Sequence, residues 1–394
     1  MKGSSSGAMS ESPEVEIAVD VEYDDEGRST DVERELPGDE IQAPFDPALI
    51  DVQTRNPTVD LLLSRLRRGV LDLDADFQRK AGLWNDVAQS RLIESLLLRI
   101  PLPTLYAAES GDEGWTIVDG IQRLTTIARF VTPGTIKREP LRLTNLEYLQ
   151  DYNGFTYEEL PAGLQTRIDE TELVVHLIRA GTPEPVMFNI FARINTGGLP
   201  LTQQELRHAL IPGRARELLR DLAGNVAFLK ATQGSIVPDR MADREMILRF
   251  LSFRRIDLDD YKYPDLDTFL RESMKQINFL PNEIVNGLVK DFERSMHVAS
   301  DVFGEHAFRK VFQGQKRRLP VNKALFEAVS VNLAKLDKSE IRILAERRSE
   351  AMDSLKNLMA DDQFQSCISY ATGNPSRVRR RFSGIEDMLK DVVE

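Results

Sequence analysis

From residue 50 onward the apolar positions of the chain fall into two periods. The run 59–68 (VDLLLSRLRR) has helical spacing and stops at Gly69, which predicts a short amphipathic helix. Asp86 stands as N-cap to a second helix through Arg99, with Leu92, Ile93, Leu96 and Leu97 on its apolar face and Pro101 and Pro103 beyond its end. Residues 104–108 and 115–118 read as strands separated by the turn-like Ser110-Gly111-Asp112, and 172–179 reads as a further strand rich in β-branched side chains. Between the second and third strands, Asp119-Gly120 opens a helix over 121–131. Residues 187–194 read as a helix closing in Asn195-Thr196-Gly197-Gly198, after which Thr202 and Glu205 form a capping box. Past residue 210 the pattern is helical nearly throughout, over 214–223, 239–254, 265–276, 282–302, 322–336, 338–357 and 376–391. The expected fold is α+β: a mixed α/β domain over 49–210 and an all-helical domain over 211–394, with a seam at Pro212-Gly213.

Composition narrows the function classes. The 394 residues are 41% hydrophobic, enough for a sizeable core. No apolar run of membrane-spanning length and no basic-then-apolar leader is visible, so the expectation is a cytoplasmic protein without membrane contact. A single cysteine, Cys367, excludes an internal disulfide framework and a cysteine-rich zinc site. His176, His208, His297 and His306 have no metal-ligand spacing.

The net charge of −12 is unevenly placed. Residues 1–50 hold 14 acidic and 3 basic side chains, and the remaining 344 residues are nearly neutral. Residues 1–8 (MKGSSSGA) read as an expression scar, and 1–48 as an acidic arm, expected to be flexible. Val15, Ile17, Val19 and Val21 alternate, which also allows a short edge strand. An acidic arm either stays solvated or covers a basic groove.

The densest chemistry lies in 115–130 (WTIVDGIQRLTTIARF). A strand ending at Asp119, a turn at Gly120 and a helix whose first amides lack partners make an anion site. Arg123 on the first helical turn suits a forked phosphate contact, Gln122 can orient a water, and Asp119 can hold a divalent metal or accept a proton. The alternative is purely structural: Asp119 caps the helix and Arg123 pairs with a carboxylate. Phe77, Gln78, Arg79 and Trp84 form a second cluster, read either as base stacking with a phosphate contact or as core anchoring. The end of 191–198 (FARINTGG) forms a third, with Asn195 the polar group at its tip; helices also commonly end this way.

Four blocks in order (FQRKAGLW with RLIESLLLRIPLP, VDGIQRLTTI, and FARINTGGLPLTQQELRHAL) resemble the domain-of-unknown-function 262 family over about residues 50–210. This is the DGQQR-motif domain of GmrSD-type restriction enzymes and SspE-like sensors, with a ParB/sulfiredoxin-like fold. The stretches LPVNKALFEAVS and PSRVRRRFSGIEDML resemble the helical tail of short members without an HNH nuclease domain. The resemblance implies binding of a nucleoside triphosphate (ATP, GTP or CTP) with Mg²⁺, and NTPase activity, in a restriction-modification or antiphage-defence system. Carried over, Asp119, Gln122 and Arg123 are the catalytic positions, with Asp119 also the metal ligand. Gly120, Gln78, Arg79 and Asn195 line the nucleotide site. Ile121 stands where the motif has a glutamine, leaving open whether bound nucleotide is hydrolysed.

Two basic tracts suit phosphate-backbone contact: 308–323, with Arg309, Lys310, Lys316, Arg317 and Arg318, and 376–382, with Arg377, Arg379, Arg380 and Arg381. Their alternative is a solvated face or an internal partner for the acidic arm. DNA is the expected partner, with room for a nuclease or methyltransferase subunit and for a homodimer. The competing readings are a non-enzymatic nucleic-acid or protein binding module and a metal-dependent nicking nuclease.

Overall fold

The computed structural model describes residues 19–24, 27–36, 47–73, 84–110, 114–194, 201–315 and 317–394. Its first elements are the antiparallel pair β1 (Val21–Tyr23) and β2 (Ser29–Glu33). They are followed by β3 (Val52–Arg55), α1 (Val59–Arg67), β4 (Leu71–Asp72), α2 (Asp86–Leu97), β5 (Leu105–Ser110), β6 (Gly114–Asp119) and α3 (Ile121–Val131). Next come α4 (Ala162–Asp169), β7 (Val175–Ile178), α5 (Glu184–Ile194) and α6 (Gln203–Leu210). Strands β3 to β7 form one mixed sheet in the order β3-β7-β5-β6-β4. Within it β5 and β6 are antiparallel, with Ala107 opposite Ile117, and β5 runs parallel to β7, with Leu105 opposite Val175. Ala107, Ile117, Val175 and Ile178 are fully buried, so the middle of the sheet is covered on both faces.

Local chemistry explains the helices around the sheet. The Thr58 hydroxyl accepts from the Leu61 amide to start α1, and Gly69, at φ +70°, lets the chain turn away. The cap of α2 is Asn85, whose side chain accepts from the Ala88 amide at 2.8 Å. Asp86, the expected cap, lies one residue inside and instead pairs with Arg129 of α3 at 2.6 Å. Glu94 of α2 is buried and gathers the amides of Glu147, Tyr148 and Leu149 at 3.0, 2.7 and 2.8 Å, pinning the loop after α3 to the helix. Burial opposes its ionisation, yet the three amides hold its carboxyl below the usual glutamate range.

The helical part comprises α7 (Arg214–Ala223), α8 (Val226–Ala231), α9 (Ala242–Arg254), α10 (Leu266–Asn278), α11 (Asn282–Phe303), α12 (Lys323–Lys335), α13 (Lys338–Glu346), α14 (Arg348–Met359), α15 (Asp362–Ser369) and α16 (Pro375–Val393). At its centre lies α12, buried all round from Lys323 to Ala334. Phe250, Phe253, Phe269, Phe292 and Phe382 pack there with ring centroids about 5 Å apart. The seam at Pro212-Gly213 is clamped: the Asn278 side chain donates to the Pro212 carbonyl and accepts from the Ala215 amide. Gly213, at φ +129°, leaves no room for a Cβ against that amide. One continuous apolar cluster joins the sheet to the helices, and no helix among the described residues is long and apolar enough to cross a membrane.

The α+β architecture is as expected. The stretch 338–357 divides at Arg347 into α13 and α14, and Arg347 donates to the Val392 carbonyl at 2.8 Å. Residues 19–24 and 27–36 lie against the helical part, with Val32 bridged to Val321 and Leu36 to Tyr370. Of the alternating valines and isoleucine, Val21 lies in β1, and Val15 and Ile17 lie outside the described residues.

Replacing Glu94 with Gln should lower the stability of the fold by about 1–3 kcal/mol at pH 7, because one acceptor oxygen becomes a donor facing amides. The depressed carboxyl contributes stability above the ordinary glutamate range, and that contribution is lost as pH falls through its lowered pKa. Urea unfolding of both proteins should therefore show a gap that narrows on acidification.

Candidate functional site

The turn from β6 into α3 has the expected backbone. Gly120 is the N-cap of α3, at φ +91°, and its carbonyl accepts the first helical bond from Leu124 at 3.0 Å. No side chain caps this helix end, so Asp119 is not its cap. The side-chain surroundings of the glycine decide more. A Cβ at Gly120 would collide with Leu105 of β5 and come within 3.1 Å of the Arg123 guanidinium. The absent side chain therefore makes room for the protein's own Leu105 and Arg123.

Arg123 is held from three sides. Its Nη1 donates to the carbonyls of Pro103 and, at 3.2 Å, Thr104, and its Nη2 donates to Asp119 Oδ2 at 2.9 Å. The Arg123 side chain is 12% exposed and that of Asp119 35%. Asp119 and Arg123, read in the sequence as two groups for a ligand, are here each other's partners. An anion arriving at Arg123 must share it with, or take it from, the Asp119 carboxylate. Gln122 is half-buried, and its carbonyl accepts the Thr126 hydroxyl at 2.8 Å. Ile121 is buried in the core at 8% exposure. The departure from the motif thus adds to packing and does not place an apolar group at the surface of the turn.

Gln78, Arg79, Asn195 and Lys316 lie outside the described residues; Trp84 packs half-buried on the core. Among the described residues no group of three or more histidine, cysteine, aspartate or glutamate side chains comes together to hold a metal. A Mg²⁺ site made by the protein alone does not fit them. Magnesium carried on nucleotide phosphates needs only one or two carboxylates, which Asp119 could supply.

The basic tracts are largely internal. Arg309, 1% exposed, donates to the Leu319 carbonyl, to Ser235 Oγ and, at 2.7 Å, to Asp31. Lys310 is buried between Glu33 at 2.6 Å and Ser369 Oγ at 2.7 Å. Arg318 meets Asp31 at 3.0 Å. Arg377 donates to the Ser366 carbonyl and hydroxyl and lies over the Tyr370 ring. Arg381 is fully buried on Glu327, with its Nη1 on the Thr372 carbonyl at 2.7 Å. Arg317, Arg379 and Arg380 are exposed; Arg379 is 3.9 Å from Asp259 and Arg380 3.3 Å from Asp361. In this arrangement Arg309, Lys310 and Arg381 face carboxylates of their own chain.

An ionic cluster that the sequence reading missed runs along α12. Arg249 of α9 contacts Glu35 at 3.0 Å, Glu245 at 2.7 Å and Glu327 at 3.3 Å. Lys323 contacts Glu245 at 3.2 Å and Glu22 of the arm at 2.7 Å. Burial raises the Glu327 carboxyl above the usual range despite Arg381 and Arg249. For Glu35 burial works the same way, but Arg249 outweighs it and holds the group low. Of the acidic alternation Asp31, Glu33, Glu35 in the sequence, Glu35 belongs to this cluster, while Asp31 and Glu33 meet Arg309, Arg318 and Lys310 beside it.

The fold thus defines a class: a mixed-sheet domain with a strand–glycine–helix turn, joined to a helical part. More specifically, residues 60–212 match the family model described as GmrSD restriction endonuclease, N-terminal domain. The resemblance carried by the four sequence blocks is borne out over that segment. No curated protein and no solved structure matches the chain.

Gly120→Ala should cost about 1–3 kcal/mol from backbone strain alone, with the Leu105 collision added. The double variant with Leu105→Ala should recover the collision but not the strain, a non-additivity that thermal unfolding of the four proteins measures. Arg381→Ala should destabilise by about 3–5 kcal/mol, since it leaves the buried Glu327 with Arg249 as its one cation among the described residues, and should leave the salt dependence of DNA binding unchanged.

Proposed function

We propose that this is a nucleotide-dependent DNA-recognition protein of a restriction or defence system, which binds a nucleoside triphosphate at the β6–α3 turn. The observation that carries the reading is the match of residues 60–212 to a restriction-endonuclease N-terminal domain, a segment that contains this turn whole. Two features of the turn support it. The start of α3 has no side-chain cap, and its amides and helix dipole favour an anion. Arg123 is already ordered beside them, so little side-chain entropy remains to be lost when a phosphate binds.

The pair Asp119–Arg123 then acts as a latch. Arg123 exchanges the Asp119 carboxylate for phosphate oxygens, keeping its contacts to the Pro103 and Thr104 carbonyls as a hinge. Asp119, once released, would be the carboxylate available to hold magnesium carried on the nucleotide, or to accept a hydrogen bond from water. Bound magnesium would supply charge neutralisation of the phosphates. Gln122 orients water near the same turn. In any hydrolysis these residues would position groups and stabilise developing charge.

A panel of ATP, GTP, CTP and UTP with Mg²⁺ in thermal unfolding tests the reading, because a ligand of the native state raises the melting temperature. One nucleotide should raise it by several degrees, and phosphate release with that nucleotide then reports on hydrolysis. Arg123→Ala should abolish the rise while the protein stays folded. Absence of a rise with all four nucleotides would sink the proposal. Plasmid nicking in Mn²⁺ is expected to be nil.

A further inference from the structure

The arm and the positive tract beneath it form a matched set. The segment 308–323 folds back on itself through the bridge between Arg309 and Val321, and β2 adds alongside as a parallel neighbour of Val321. The Val321 amide donates to the Asp31 carbonyl at 2.8 Å, and the Glu33 amide to the Val321 carbonyl at 2.8 Å. Across this seat four cations meet arm carboxylates: Arg309 and Arg318 on Asp31, Lys310 on Glu33 and Lys323 on Glu22. Glu35 continues the row onto Arg249.

Very little else fastens the arm. Val32 is its one fully buried apolar side chain among the described residues, while Tyr23 and Leu36 are 55% and 49% exposed. A two-stranded hairpin of this size has little stability of its own. Its seat therefore depends on charge pairing and on edge hydrogen bonds. Carboxylates at every second residue of an extended strand recur about every 6.8 Å on one side. Consecutive phosphates of a stretched nucleic-acid strand recur at a comparable step. The cations below are of the kind that bind phosphates, and with the arm lifted Lys323 would keep Glu245 while Arg309 and Lys310 would keep only neutral acceptors, the Leu319 carbonyl, Ser235 and Ser369.

We infer that the seat under β2, lined by Arg309, Lys310, Arg318 and Lys323, is a binding site for a single extended phosphodiester strand, which the arm's carboxylates occupy in the present state. The inference rests on the nucleic-acid half of the function proposed above, not on the nucleotide at Arg123. The strand enters as the arm lifts, exchanging one row of anions for another, so binding is sensitive to salt and indifferent to sequence.

The test uses the full chain and a labelled oligo-dT, read by fluorescence anisotropy, with a duplex of equal length in parallel. Asp31→Asn, Glu33→Gln and Glu35→Gln together should raise oligo-dT affinity by about tenfold or more at low salt, and Lys310→Gln with Lys323→Gln should remove the gain and lower the salt slope by about 1–2. A synthetic peptide of residues 19–36 should compete with the oligonucleotide on the neutralised chain. Should neutralisation unfold the protein, Val32→Cys with Val321→Cys decides. Oxidised, it locks the arm and should weaken oligo-dT binding, and reduction should restore it. Unchanged affinity on unlocking the arm, a gain that survives the lysine substitutions, or tighter binding of the duplex than of the single strand overturns the site. The arm effect should persist in Arg123→Ala, so failure of the nucleotide reading and failure of this one are read separately.

Discussion

Helix α12 is buried on every side, yet it carries Lys323 and Glu327. Much of the rest of the structure follows from that constraint. A charge in a low-dielectric interior is tolerated only when a counter-charge and hydrogen bonds reach it. The counter-charges come from α9 through Arg249 and Glu245, from α16 through Arg381, and from the arm through Glu22 and Glu35. Segments hundreds of residues apart in sequence are thereby held in one register. Aromatic packing around Phe253 and Phe292 provides the apolar burial, but it is not directional in the way the ionic row is. The charges fix which strand and which helix meet.

The same logic, on a smaller scale, governs the turn at Gly120. Arg123 is shielded enough to need acceptors, and it finds them in two carbonyls and the carboxylate four residues back. Those carbonyls sit at the entry to β5, and β5 is paired to β6, which delivers Asp119. The latch thus ties the ends of two neighbouring strands to the first turn of the helix they lead into. A guanidinium so placed is pre-oriented for phosphate, while its present partner lowers the net attraction for an anion. The orientation is held by the Pro103 and Thr104 carbonyls together with Asp119, and the lowered attraction comes from Asp119 alone, so an anion that displaced the carboxylate would reverse the second without losing the first.

Much of this was legible in the sequence where a single period or cap decided the outcome. The boundaries of α3 and the Thr202–Glu205 capping box were read directly, because local hydrogen bonding sets them. In the sheet domain the periods also revealed α1, α2, β5, β6, β7 and α5, but not β3, β4 or α4. What was not visible depended on distant partners. β3 is an exposed four-residue edge that exists as a strand only through its pairing with β7. α8 and α15 are too short for a periodic signal. Arg381 looks in sequence like one more member of a surface run SRVRRRF, and only the opposing Glu327 shows that it points inward. Within the site, the glycine turn followed from spacing; the structural alternative had Asp119 as helix cap and Arg123 on a carboxylate, and only its second half holds, since the helix has no side-chain cap and the carboxylate on Arg123 is Asp119 itself.

The acidic arm shows why a global charge is a poor guide to partners. Averaged over the chain, −12 argues against a polyanion ligand. Resolved in space, several of the carboxylates responsible are already spent on cations of the same molecule, at Asp31, Glu33 and Glu35. A carboxylate that neutralises its own chain's lysine no longer repels a phosphate at long range, and the pair it forms is one that a competing anion can exchange. A protein can therefore be acidic in total and still hold a polyanion site, provided the acidity and the site are the two halves of one contact.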